Sequence, residues 1–213
     1  SEGPSGGGVD SWFATIKGVG GHGAYPHTTV DPFVLLAHVI MGLNTITSRK
    51  LDPFEPAIVS IGSINGGFAE NVIPEKVELT GTLRFTSLET QKKIREEVTK
   101  IFDMVKALGG DYELNFLFGG LPLVNDKQVA DMIAEVGTDL LGEGNVRPMH
   151  KSLGAEDFPE FLQDAPGAMY TLGTMIEGRP VYELHHPMFD LDERALPVGA
   201  AVLAETAKRF LAK

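Results

Sequence analysis

Ten residues, Lys76 to Phe85, constrain the fold of this chain more than any other stretch. Val77, Leu79, Gly81, Leu83 and Phe85 share one parity; Lys76, Glu78, Thr80, Thr82 and Arg84 share the other. A period of 2 held this long means a strand with one buried and one solvated face, so something must cover the apolar side. The flanking sequence provides it. Ser87 reads as the N-cap of a helix to Leu108, with Ile94, Val98, Ile101, Phe102, Val105 and Leu108 in one stripe. Gly109 and Gly110 stop it, and Tyr112, Leu114, Phe116 and Phe118 alternate as another strand. Upstream, Ser11 to Lys17 is a short strand. Thr28 to Arg49 is a helix with Phe33, Leu36, Val39, Ile40, Leu43 and Ile46 at helical spacing. Thr28 and Asp31 fit a capping box, with Pro32 in the first turn. The prolines of LDPFEP end that helix; Ala57, Val59 and Ile61 then alternate until Asn65-Gly66-Gly67 breaks the strand. The order β-α-β-β-α-β is the ferredoxin-like split βαβ arrangement, an α/β (α+β) fold.

Residues 119–213 read differently. Asn125 with Gln128 resembles a cap before a helix carrying Val129, Met132, Ile133, Val136 and Leu140. A short helix follows Gly154, a strand is expected at Ala168 to Leu172, and a last helix runs from Leu196 to Leu211. This is too little sheet for an α/β layer of its own. Twenty-nine acidic against 18 basic residues give a net charge of −11, which argues against a nucleic-acid partner. The absence of cysteine excludes disulfides, thiolate zinc sites and thiol nucleophiles. No apolar run is long enough to span a membrane, and SEGPSGGGVDS lacks the basic and apolar regions of a signal peptide. A cytoplasmic location is the default expectation.

Five of the six histidines lie in segments with loop character; His38 is mid-helix and reads as a surface or core residue. In GVGGHGAYPHTT, glycines around His22 let the backbone approach a ligand, and His27 precedes a helix. A turn whose histidines hydrogen-bond locally explains the same residues. Glu183 to Pro187 holds His185 and His186, with Asp190, Asp192 and Glu193 behind, a composition that suits zinc but rarely supplies three ligands from one cluster. Gly154 to Phe158 pairs two carboxylates at an ordinary helix start. Arg84, on the polar side of its strand, could clamp a substrate carboxylate, or could form a surface salt bridge with Glu78. No P-loop, G-x-S-x-G elbow or Rossmann fingerprint occurs.

In order and spacing, GVGGHGAYPHTTVDP, SINGGFAENVIPEKVELTGTLRF, GAEDFPEFL and LHHPMFDLDERAL resemble the amidohydrolase branch of the zinc-dependent aminoacylase and carboxypeptidase family. The resemblance implies a ferredoxin-like lid and dimerisation domain at residues 9–118. Residues 1–8 and 119–213 would be the C-terminal remnant of an α/β metallohydrolase domain. It implies His185 as a metal ligand and His22 as a lid histidine that reaches the partner subunit's site and polarises the scissile carbonyl. Asn71 would help bind that region, and Arg84 would hold the substrate's carboxylate. The family's N-terminal half, with most metal ligands and the catalytic glutamate, has no counterpart here: no HxD-type, C-G-H-D or paired-glutamate segment is present. The expectation is therefore a piece of a metal-dependent amidohydrolase or metallopeptidase, cleaving N-acyl-amino-acid or peptide amides as a lid-mediated homodimer. It would use a divalent metal, zinc foremost, in the intact enzyme. With one metal ligand, the chain alone would hold little or no metal and be inactive. A standalone dimerisation or binding module is the other reading.

Overall fold

The structure, a computed structural model, describes residues 1–212. They divide into two compact units. One is Gly6–Leu123 with Lys151–Glu160; the other is Ser1–Ser5, Val124–His150 and the described residues from Phe161 onward. The chain starts with a short strand β1, Gly3–Gly6.

The first unit is built on the strand that the alternation predicts, β6 (Lys76–Phe85). The strand β2 (Gly8–Lys17) runs antiparallel beside it, from Gly8 opposite Phe85 to Lys17 opposite Lys76. Outside β6 lies β4 (Ile58–Gly66) and outside β2 lies β7 (Asp111–Gly120), giving the order β4-β6-β2-β7 with every neighbour antiparallel. Between β2 and β4 a two-residue strand β3 (Gly21–His22) pairs with β5 (Val72–Ile73). The helices α1 (Pro32–Thr45) and α2 (Leu88–Ala107) cover one face. Leu35, Leu36, Val39 and Leu43 from α1 and Ile94, Val98, Phe102 and Val105 from α2 are buried against Trp12, Ile16, Val77, Leu79 and Leu83. This is the expected split βαβ arrangement.

Several local expectations are corrected. Helix α1 begins at Pro32 with Asp31 as its cap, the carboxylate accepting from the Phe33 N–H at 2.8 Å. Thr28 instead ends a separate 3-10 turn, Pro26–Thr28, its hydroxyl donating to the Tyr25 carbonyl at 2.9 Å, and the antiparallel bridge of Val30 to Val19 separates that turn from the helix. The last turn, Ile46–Lys50, is a π turn. Phe33 is exposed and Leu35 takes the core position, while Leu108, counted in the α2 stripe, is 48% exposed. In β4 the register shifts between Ile61 and Ser63, a bulge on an edge strand.

Two features fix this unit. Gly81 sits mid-strand opposite Trp12, and a Cβ there would lie 2.0 Å from the Ser60 carbonyl oxygen and 2.4 Å from the Trp12 ring. The indole uses that room and meets Phe102 edge-on, with ring centroids 6.1 Å apart. The second feature is Asp10, wholly buried on β2. Its carboxylate accepts from Gln91 Nε2 at 2.8 Å and from Arg95 Nε at 2.6 Å, tying α2 to the sheet. The Arg95 guanidinium lies 5.4 Å from the centre of the Phe116 ring.

The second unit contains the last two residues of β8 (Leu123–Asn125) together with α3 (Lys127–Leu141) and α4 (Ala195–Leu211). Asp126, not Asn125, caps α3, accepting from Val129 N–H at 3.0 Å. Asn125 is buried and engaged elsewhere: its carboxamide accepts from the Met169 N–H and donates to the Met169 carbonyl, both at 2.9 Å. The strand expected at Ala168 to Leu172 is not formed. Among the described residues no strand pairs with it: the Asp126 N–H reaches the Gly167 carbonyl at 2.9 Å, and beyond that the Asn125 side-chain amide makes the two bonds a paired strand would make. A cavity of about 420 Å³ lies between α3, α4 and this segment, lined by Ile133, Leu141, Val146, Leu172 and Val202. Leu140, Leu196, Leu203 and Phe210 are exposed. Among the described residues no helix is long and apolar enough to cross a membrane.

Gly81→Ala should cost about 3 kcal/mol or more in urea denaturation, at or beyond the upper end for overpacking, because backbone blocks the new methyl group. Arg95→Ala leaves Asp10 buried with one neutral donor and should cost about 3 kcal/mol, the lower end for a broken buried pair, since Arg95 is partly solvated. Arg95→Lys, which keeps the charge but loses the planar fork, should recover only part of this.

Candidate functional site

The loop around His22 is held by the β3–β5 ribbon, which prolongs the β2–β6 pairing beyond Lys17 and Lys76. Gly18 N–H donates to the Glu75 carbonyl at 2.8 Å, Gly21 faces Ile73, and His22 faces Val72. Gly18 has to be glycine: a Cβ there would sit 2.0 Å from the Val30 carbonyl oxygen. One residue further, Gly23 N–H donates to the Asn71 carbonyl at 2.8 Å. The ribbon thus brings His22 and Asn71, far apart in sequence, to adjacent exposed positions.

Locally the histidine does what a turn residue does. Its Nδ1 accepts from the Ala24 N–H at 3.1 Å. That bond has a chemical consequence, because a neutral imidazole accepting at Nδ1 carries its proton on Nε2. Nε2–H is then the donor left for a ligand. Tyr25 flanks the ring, with centroids 5.4 Å apart, and on its other side meets His27 at 6.3 Å. His38 is exposed on α1.

Arg84 occupies the opposite end of the sheet, on the face that no helix covers. Directly beside it are Val9 on β2 and Ile58 on β4, and the next position in that row, on β7, is Gly120. The salt bridge to Glu78 does not form. Six residues of strand separate the two by about 20 Å, and Glu78 pairs with Lys76 at 2.6 Å instead. No ion pair joins Arg84 to any described residue. The segment containing Gly154 and Glu156 packs at this same end, with Gly7 N–H donating to the Gly154 carbonyl at 2.9 Å. From the Val9 end to the Lys17 end the strand is about 26 Å long, and Arg84 and His22 lie toward its opposite ends.

His185 belongs to the other unit, in the exposed turn Glu183 to Phe189. Its φ of 71° makes it the positive-φ residue other than glycine among those described. His186 fixes the turn: its N–H donates to the Glu183 carbonyl at 3.1 Å, and its Nδ1 accepts from Met188 N–H at 3.0 Å. The Tyr182 ring stacks on it at 4.5 Å. The nearby acids are engaged elsewhere. Asp190 pairs with Arg179 at 2.8 Å, and hydrogen bonds from Arg194 hold the Asp192 carboxyl down at about 2. Among the described residues no three His, Asp or Glu side chains gather as a metal site. Sequence reasoning overlooked Ala24, Tyr25, Tyr182 and His186 as fixing residues; only the side-by-side aromatic and imidazole residues hinted at them.

Residues 7–108 match the peptidase dimerisation domain of the M20 family. The chain is 32% identical to thermostable carboxypeptidase 2 of Saccharolobus solfataricus, over 94% of this chain and 51% of that one. It is 31% identical to the N-acetyl-L-cysteine deacetylase of Bacillus subtilis, over 95% of this chain and 48% of the relative. Among solved structures, the Bacillus subtilis YXEP protein, a dinuclear metal-binding peptidase of the M20 family, superposes with a TM-score of 0.80 at 28% identity. It is matched over 100% of this chain and 53% of its own. The chain spans about half the length of the curated relatives it matches.

The tautomer inferred for His22 can be read directly. Long-range nitrogen–proton NMR at alkaline pH should report Nε2 protonated and Nδ1 bare for His22, and Ala24→Pro, which deletes the donor, should erase that preference.

Proposed function

We propose, for a chain whose residues 7–108 are an M20 peptidase dimerisation domain, that it is the lid and C-terminal catalytic segment of a metal-dependent amidohydrolase. Its substrate is an N-acyl amino acid or peptide, cut beside a free carboxylate. The separation of His22 from Arg84 carries this reading. A substrate carboxylate and the neighbouring amide are a few bonds apart, whereas these residues lie toward opposite ends of strands about 26 Å long in one copy. Two copies related by a two-fold axis can bring them together, with the imidazole of one meeting the guanidinium of the other. The unpaired edge of β4 and the exposed Val34, His38 and Met41 of α1 are the surface for such a pairing, so the proposal includes a homodimer through residues 9–118.

In this reading Arg84 grips the carboxylate with two parallel N–H donors. His22 directs its Nε2–H at the amide oxygen, which becomes negative as water adds to the carbonyl. Asn71 stands beside it and binds the same part of the substrate. His185 fits as one imidazole donor, and zinc is the preferred metal for such a ligand. A bound divalent metal supplies a more acidic water. One donor does not make a catalytic metal centre, which normally has three protein ligands and a water.

Four outcomes test this reading. The purified 213-residue chain should not hydrolyse N-acyl amino acids with added zinc, manganese or cobalt; metal-dependent turnover would overturn that. Sedimentation at micromolar concentration should give a dimer, and Met41→Lys should shift it toward monomer. In an intact enzyme carrying this segment, His22→Ala should lower kcat at least about 100-fold with Tm nearly unchanged. Mixing that variant with a metal-site variant should restore part of the activity. An unaffected His22→Ala enzyme would favour a binding module over a catalytic lid.

A further inference from the structure

The row of side chains around Arg84 says more about the ligand than that it is an anion. On the open face Arg84 lies between Ile58 and Val9 in direct cross-strand register, where Cβ atoms stand about 4.5–5.5 Å apart. Ile58 is 42% exposed, and Val9 is partly exposed. The next row, Ser60, Thr82 and Ser11, is uncharged. The charged side chains of this face collect at its far end, where Lys17 pairs with Glu113 and Lys76 with Glu78. Among the described residues, then, Arg84 is a cation without an ion pair, flanked by two aliphatic residues.

We infer that this row is a specificity subsite: Arg84 takes the carboxylate of an amino-acid moiety, and Ile58 and Val9 receive the side chain borne on the adjacent carbon. This rests on the proposed carboxylate role of Arg84 and adds a substrate class, amino acids with apolar side chains. An aliphatic side chain loses water against Ile58 and Val9. A second carboxylate or an ammonium gains nothing from those aliphatic contacts and loses part of its hydration against them, with Arg84 already engaged. Gly120 at the end of the row adds no side chain, so the apolar contact falls on Val9 and Ile58.

The experiment is a titration of the 213-residue chain, labelled at isoleucine methyl groups, with N-acetyl-leucine, N-acetyl-aspartate and N-acetyl-leucinamide. N-acetyl-leucine should move the Ile58 methyl resonance and bind at least about tenfold more tightly than N-acetyl-aspartate. The amide, which lacks the carboxylate, should bind far more weakly than N-acetyl-leucine. Ile58→Ser should collapse the leucine-over-aspartate preference, and Ile58→Lys should reverse it, while both still reject the amide. Failure of N-acetyl-leucine to move the Ile58 resonance overturns the subsite. Arg84→Ala that still rejects the amide overturns the carboxylate role beneath it. A preference for leucine that survives both Ile58 substitutions overturns the inference alone.

Discussion

Trp12 fills the space that any side chain at position 81 would need, and this contact fixes how β2 and β6 are aligned. Backbone pairing alone is tolerant of sliding, because every step of a strand offers similar hydrogen bonds. The indole is not: only Gly81, mid-strand in β6, leaves room for it. A slip of one residue would drive the ring into a side chain and turn the apolar set of β6 to solvent. Once Trp12 faces Gly81, Arg84 must face Val9 and Lys17 must face Lys76. The positions of the substrate-binding candidates thus follow from a packing contact in the core.

Charge is arranged around that core in two ways. Exposed pairs such as Lys76 with Glu78 and Lys127 with Asp131 contribute little to stability, because water competes for both partners. The Asp10 carboxylate is different, since it is enclosed and depends on Gln91 and Arg95 for the hydrogen bonds water would have made. Tyr112 behaves similarly on a smaller scale. Burial, together with its hydrogen bond to Asp103, pushes the phenol up to about 12, so the neutral ring is the form that the fold selects. On the open face of the sheet, where Lys17 and Lys76 are both paired, Arg84 has no ion pair to any described residue and stands beside an aliphatic row.

The legible parts of the sequence are those where periodicity acts over many residues. Lys76 to Phe85 and the helix after Ser87 are found as read, because burial of one face is repeated at every period. Helix starts are harder. Thr28, Asp31, Asn125 and Asp126 are all competent caps, and which one serves depends on tertiary partners: the Val19–Val30 bridge cuts Thr28 off from the helix, and the Asn125 oxygen already accepts from the Met169 N–H. Ala168 to Leu172 has the composition of a strand, but a strand needs a neighbour that composition cannot reveal. The candidate site was legible as residue types, His22, Asn71, Arg84 and His185, and not as geometry. Nothing in the spacing says that His22 and Asn71 meet across a ribbon, or that Arg84 stands at the other end of the sheet.

The β3–β5 ribbon has a consequence for how such chains can change over time. Surface loops are usually where insertions and deletions are absorbed. Here the connection before His22 and the one before Val72 are stitched to each other by two facing residue pairs. Losing or gaining one residue in either would move the histidine one step along the ribbon and swing its ring to the opposite side. Both loops can therefore drift in composition while their lengths stay locked together, so an indel in one would survive only with a matching indel in the other.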